Sequence, residues 1–202
     1  MILRVLRLSC GYVDIAGRAL HNISLTDMVD LAATFEENAM EASAMVWRCE
    51  RTPLSLRKAV GLAAHKARGI VLSEPEFLGD SLIAGLRGLA GFIPRPDDDQ
   101  LATADAGVTE AFAGVASTGS VCVALGRPLV SATSLLMPLN IVLLARERIV
   151  ARPRDLFDPD CLKGEGLKRN LVFITGPSAT ADMGPLVHGV HGPHRLLVLL
   201  LE

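Results

Sequence analysis

Short apolar runs separated by amphipathic or polar stretches recur along this chain, and that rhythm predicts its elements. Leu25, Met28, Val29, Ala32, Phe35 and Ala39 fall at helical spacing behind Ser24, with Asp27 three residues after it, so a helix is expected from Ser24. Met45 to Trp47 is a strand candidate. Thr52-Pro53 pairs a capping hydroxyl with a first-turn proline and predicts a helix through about Lys66, closed by Gly69. Ile70 to Leu72 predicts the next strand, Ser81 to Ala90 a helix in which Gly85 and Gly88 permit close packing, and Gly91 to Ile93 another short strand. Val121 to Leu125, Ile141 to Leu144, Leu171 to Ile174 and Leu196 to Leu201 complete the strand set.

Strand-like runs alternating with helical segments imply an α/β fold, a mainly parallel sheet with helices on both faces. The uncharged run Leu171 to Thr175 suits a strand buried on both faces of such a sheet. Loops that follow parallel strands then gather along one edge, where ligands bind in open α/β folds. At 202 residues the chain fits a single domain, expected over residues 25–202, behind an N-terminal extension over residues 1–24 that shows no clear period.

Two segments superficially resemble membrane signals. Arg7 interrupts the apolar stretch of Met1 to Cys10 before it reaches signal-peptide length. Pro128 to Ala145 carries no charge, but Ser131, Thr133, Ser134, Pro138 and Asn140 divide it into a polar approach and a short buried strand. No membrane insertion is expected. A net charge of -2, scattered basic residues and only 4% aromatic residues argue against nucleic-acid binding. Cys10, Cys49, Cys122 and Cys161 are too far apart in sequence for a CxxC metal or cluster motif, and their spacing suits a reducing cytoplasm. Cys122, inside an apolar run, is expected to be a small core residue.

Candidate chemistry concentrates near the C-terminal end. After the strand ending at Ile174, Gly176-Pro177 breaks the chain, and Ser178, Thr180 and Asp182 supply hydroxyls and a carboxylate where a helix can begin. Asp182 is a candidate general base or, on the structural side, a helix cap. Gly189, His191 and Gly192 follow closely, with His191 suited to proton transfer near neutral pH or to a turn hydrogen bond. Thr118-Gly119-Ser120 lies between two apolar runs, either as a tight turn or as a loop that lets a ligand approach the backbone. His188, His191 and His194 are spaced by threes, but Gly189, Gly192 and Pro193 oppose a continuous helix, so no metal site is expected. Asp97, Asp98 and Asp99 read as a solvated turn, because neighbouring residues on an extended loop do not converge on one ion.

In their order along the chain these blocks resemble the LUD domain family, also called LutC/YkgG. The likeness runs from about Leu25 to Glu202. It rests on Gly107-Val108-Thr109 leading into Val115-Ala116-Ser117-Thr118-Gly119-Ser120, on Leu136 to Val142, and on Ile174 to Asp182 with Gly189 to Pro193. The resemblance implies a three-layer α/β/α domain, similar to ribose-phosphate isomerases, glucosamine-phosphate deaminases and CoA transferases. It also implies participation in bacterial L-lactate oxidation to pyruvate beside iron-sulfur partner subunits. This chain departs from the family block at four positions: Ser117 stands where an acid is usual, Asn140 for histidine, Ala179 for arginine and Gly184 for glutamate. Acid, base and anion-pairing groups are thereby removed, whereas Thr118 to Ser120 and Gly176 to Ser178 retain hydroxyl and N–H donors for a phosphate or carboxylate.

The expected ligand-contact set is therefore Thr118, Gly119, Ser120, Asn140, Gly176, Pro177, Ser178, Thr180, Asp182, Gly189, His191 and Gly192, with His191 and Asp182 as catalytic candidates and no resident cofactor or metal. Three functions are compatible with that set. The first is an accessory subunit that binds a small organic acid or a phosphate-bearing ligand. The others are a stand-alone enzyme acting on a phosphosugar or acyl-CoA and a degenerate member that only binds.

Overall fold

Asp30 opens the first described helix: its carboxylate accepts from the Ala32 N–H at 3.0 Å, and its own backbone is extended. Helix α1 (Leu31–Glu41) therefore starts at Leu31, and the expected start at Ser24 lies outside the described residues. The computed structural model describes residues 30–126, 128–158, 170–180, 187–189 and 192–202. Strand β1 (Met45–Cys49) is followed by α2 (Pro53–Ala63), in which Thr52 Oγ1 accepts from the Ser55 N–H and Pro53 occupies the first turn, as its sequence predicts. After β2 (Ile70–Leu72) comes α3 (Asp80–Ile83), which tightens into a 3-10 turn at Ala84–Gly88. The continuous helix expected there is thus shorter than its apolar pattern suggests. A side chain at Gly85 would press on the Pro53 carbonyl, so this turn does pack closely on α2.

Strand β3 (Phe92–Ile93) leads to α4 (Asp98–Thr103). Asp97 and Gln100 form a reciprocal capping box there, so the aspartates expected in a solvated turn instead begin a helix, where negative charge meets unpaired N–H groups. Next come β4 (Ala106–Glu110), β5 (Ala113–Val115), a 3-10 turn (Ala116–Thr118) and β6 (Ser120–Leu125). Helix α5 (Pro128–Leu135) replaces the expected polar loop. Thr133 Oγ1 donates to the Leu129 carbonyl and Ser134 Oγ to the Val130 carbonyl, both at 2.6 Å, which allows two hydroxyl side chains to be buried inside a helix. Among the described residues, no helix is long and apolar enough to cross a membrane. The remaining elements are β7 (Leu139–Ala145), β8 (Ile149–Val150), β9 (Asn170–Ile174), the paired two-residue strands β10 (Ala179–Thr180) and β11 (Val187–His188), and β12 (Arg195–Leu201).

Six strands form one all-parallel sheet in the order β1-β12-β7-β4-β2-β3. Its centre is the most apolar: every residue of β7 is buried, as is every residue of β12 after Arg195. Because side chains alternate across a strand, β12 feeds two cores. Leu197, Leu199 and Leu201 pack with Leu56, Val60, Ile83 and Leu86 from α2, α3 and the 3-10 turn. Leu196, Val198 and Leu200 pack with Phe35 and Ala39 of α1 and with Val121, Val123 and Ile174 of a second sheet.

That second sheet, β8-β5-β6-β9, corrects one expectation. Strand β9 pairs antiparallel with β6 and is only partly buried, with Phe173 exposed, rather than lying inside the parallel sheet. An apolar run of five residues does not reveal which sheet it joins.

At Gly107 on β4, helix α5 approaches so closely that a Cβ would collide with the Thr133 carbonyl oxygen. Gly107→Ala is expected to destabilise the fold by about 1–3 kcal/mol in urea unfolding through overpacking, whereas Gly126→Ala, whose added carbon meets open space, leaves stability nearly unchanged. Burial pushes the Cys122 thiol up from 9.0 to about 12. The native thiol therefore holds its proton above pH 9, where the unfolded one releases it, and stability falls as pH rises from 9 toward 12. Relative to Cys122→Ala, the wild-type chain should lose about 1.4 kcal/mol between pH 7.5 and pH 10, as read by urea unfolding of both proteins.

Candidate functional site

A chain of three hydroxyls stands where the two sheets meet α1. Strand β5 ends in the 3-10 turn, and Gly119 then reverses direction in the left-handed region, with φ 62°. Thr118 Oγ1 and Ser120 Oγ lie 2.7 Å apart, and Ser120 Oγ is again 2.7 Å from Thr175 Oγ1, just beyond β9. Ser120 is buried, while Thr118 and Thr175 at the two ends are exposed. Each hydroxyl supplies one proton, so such a chain leaves one donor to point outward at a bound oxygen.

The glycine of this turn serves packing. A Cβ on Gly119 would run into the backbone of Asn38 and Ala39, and Asn38 Nδ2 donates to the Ala116 carbonyl at 2.7 Å. Gly176, with φ 71°, is likewise closed off by the Ala42 carbonyl. The backbone at both positions is approached by the end of α1 and the residue that follows it.

Past Gly176, residues at the first part of the expected helix start pair as strands, Ala179 with His188 and Thr180 with Val187, and the part at Asp182 lies outside the described residues. Ser178 N–H donates to the Pro193 carbonyl at 2.9 Å, and Gly189 N–H donates to the Ser178 carbonyl at 2.8 Å. These amides, expected to face a ligand, are satisfied by the protein itself. Gly192 packs directly against the Ser178 Cβ. Segments around 118, 176, 189 and 192 therefore do come together. Pro177 sits half-buried between Gly176 and Ser178. Asp182 and His191 lie outside the described residues, as does Gly184.

Asn140 occupies a different environment. It is fully buried on β7, accepting from Thr109 Oγ1 at 3.1 Å and donating through Nδ2 to the Ser134 carbonyl at 3.1 Å. Those bonds tie β4, β7 and α5 together. The exposed Ser117 and Ala179 mark two other family departures.

The location of the cluster follows from β9. Because that strand runs antiparallel in the small sheet, the loop after it arrives beside Ala42, ahead of β1, and Pro193, ahead of β12. The hydroxyl cluster thus borders the amino ends of the parallel strands. At the opposite, carboxyl edge sits a residue that sequence reading passed over. Glu110, the last residue of β4, is 5% exposed, its Oε2 accepts from the N–H groups of Glu76 at 2.8 Å and Phe77 at 2.7 Å, and its Oε1 is buried without a hydrogen-bond partner among the described residues. An acid directly after Gly107-Val108-Thr109 was the available signal, obscured because Ala, Gly and Glu make a weak strand pattern.

Comparison with known proteins fits this architecture. The LUD domain model matches residues 25–201. A Halalkalibacterium halodurans protein named Lactate utilization protein C is 35% identical over 103 residues, which are 49% of this chain and 45% of that protein. An uncharacterized Neisseria meningitidis protein, NMB1437, is 30% identical over 98 residues, 48% of this chain and 42% of its own length. The aligned regions thus span less than half of each curated relative. The crystal structure of a DUF162 family protein from Deinococcus radiodurans superposes with a TM-score of 0.60 at 20% identity, covering 85% of this chain and 96% of that one, and so shares its fold. With the match extending from residue 25 through the end of β12, the chain belongs to the LUD domain family.

Proposed function

We propose that this protein is an accessory subunit of a bacterial lactate-utilisation system, working in the cytoplasm beside iron-sulfur subunits that oxidise L-lactate to pyruvate. The observation that carries this reading is the LUD domain match over residues 25–201, taken with the likeness to a protein named Lactate utilization protein C. Its ligand is a small carboxylate or phosphate-bearing molecule received at the hydroxyl cluster. Thr118, Ser120 and Thr175 offer neutral donors there, and Ser178, Gly189 and Gly192 build the adjoining wall. Neutral hydroxyls suit an anion that retains part of its hydration, since no charged partner is needed to offset its full desolvation.

Two measurements test the reading. Co-expressed with candidate iron-sulfur subunits, the tagged protein should copurify with them, and its deletion should impair growth on L-lactate; failure of both overturns the subunit role. For the ligand, lactate, pyruvate or inorganic phosphate at about 100 times its dissociation constant should stabilise the protein by about 2.7 kcal/mol. Ser120→Ala should weaken that stabilisation in a thermal-shift titration. An unchanged response in the variant would remove the hydroxyl cluster from ligand binding.

A further inference from the structure

Three neighbouring strands of the parallel sheet, β7, β4 and β2, send their carboxyl-terminal loops to one place. Glu110 ends β4. Phe77 lies in the loop after β2, Phe112 two residues beyond Glu110, and Arg148 in the 3-10 turn that follows β7. The two aromatic rings meet edge to face, with centroids 5.7 Å apart. The Arg148 guanidinium lies 4.6 Å from the Phe77 centroid and 5.9 Å from that of Phe112, and its Nη1 donates to the Phe112 carbonyl at 3.0 Å. Phe77 joins the two charged residues: its N–H holds Glu110 Oε2 while its ring supports Arg148.

Each charged group is left incompletely satisfied. Glu110 Oε1 is buried with no donor among the described residues, which is costly for a carboxylate oxygen removed from water. Arg148 is half-buried and forms no ion pair with a carboxylate among the described residues. It retains guanidinium N–H groups in a planar fork suited to a carboxylate. Ser73, 1% exposed, directly follows the adjacent β2 and adds another buried polar residue to the same edge. Carboxyl edges of parallel sheets are where α/β folds commonly receive ligands, and here Phe77 links an acceptor and a cation that, among the described residues, lack a donor and a carboxylate partner.

We infer a second binding site at this edge, built on Glu110 and Arg148, for a small carboxylate that carries a hydrogen-bond donor on its α carbon. The ligand's hydroxyl or ammonium group donates to Glu110 Oε1, and its carboxylate pairs with Arg148. The two main-chain N–H groups on Oε2 fix the carboxylate and leave buried Oε1 as the oxygen still able to accept from the ligand. Such a site rejects an α-keto acid, because a ketone oxygen accepts and cannot satisfy another acceptor. This inference does not depend on whether the hydroxyl cluster at the amino edge binds anything.

The test uses the full chain at pH 7 with L-lactate, glycolate and L-alanine as donor-bearing probes, and pyruvate and propionate as matched acids lacking the donor. Calorimetric titration should show at least one donor-bearing probe binding tenfold or more tightly than both controls, with lactate against alanine separating a hydroxyl from an ammonium ligand. Glu110→Gln, which places an amide N–H₂ or a weaker acceptor where Oε1 stands, and Arg148→Met, which keeps the aromatic contact without charge, should each weaken it at least tenfold. In the wild-type protein, ligand-induced amide shifts in the NMR spectrum should centre on Glu76, Phe77 and Phe112, a readout that stands even if a variant fails to fold. Equal binding of donor-bearing and control acids overturns the inference. So do shifts confined to Ser120, Thr175 and Ser178, which would instead support the amino-edge site.

Discussion

The fold depends on the burial of β12 between β1 and β7. Residues Arg195 to Leu201 pair in register with Leu139 to Ala145 along one edge, and Leu197 to Leu201 pair with Met45 to Cys49 along the other. Its alternating side chains are shared between two hydrophobic clusters, so both layers of helices are anchored on the same few residues. Removing such a strand would expose apolar surface on both faces and leave two rows of unpaired backbone groups. The remaining contacts, including the small sheet's docking through Val121, Val123 and Ile174, are built outward from that centre.

Much of this was legible in residues whose local chemistry leaves few options. Thr52-Pro53 could only begin a helix efficiently, and it does. Ile141 to Ala145 and Leu196 to Leu201 are too uniformly apolar to lie anywhere but in a sheet covered on both faces. Legibility failed where tertiary contacts supply what the local sequence lacks. Ser131, Thr133 and Ser134 resemble loop residues until the hydroxyls of Thr133 and Ser134 bond back to the carbonyls of their own helix. Ala106 to Glu110 does not look like a strand, because small residues there make room for α5, and Gly107 is the point of closest approach. Leu171 to Ile174 reads as a core parallel strand and is instead an outer antiparallel one, a distinction that depends on distant pairing partners.

The candidate sites divide along the same line. The Thr118, Gly176, Gly189 and Gly192 segments converge, and hydrogen bonds join most of them. Gly119 and Gly176, however, make room for α1 and the chain just beyond it, and Asn140 stitches strands to a helix. A glycine that admits a neighbouring backbone looks, in sequence, the same as one that admits a ligand. Glu110 shows the converse: an unremarkable acid in sequence becomes informative only when one oxygen is seen pinned and the other left alone.

Placing β12 in the interior of the sheet also shapes how the chain acquires its structure. Met45 must find Leu197, and the pairing of β1 with β12, its only neighbour among the described residues, waits until the far part of the sequence has been made. A sheet organised this way has high contact order, and loop-closure entropy delays its formation. During synthesis the edges of β1 and β7 that later receive β12 are both open and apolar, a template for mispairing between nascent chains, so dependence on chaperones is a cost written into the topology.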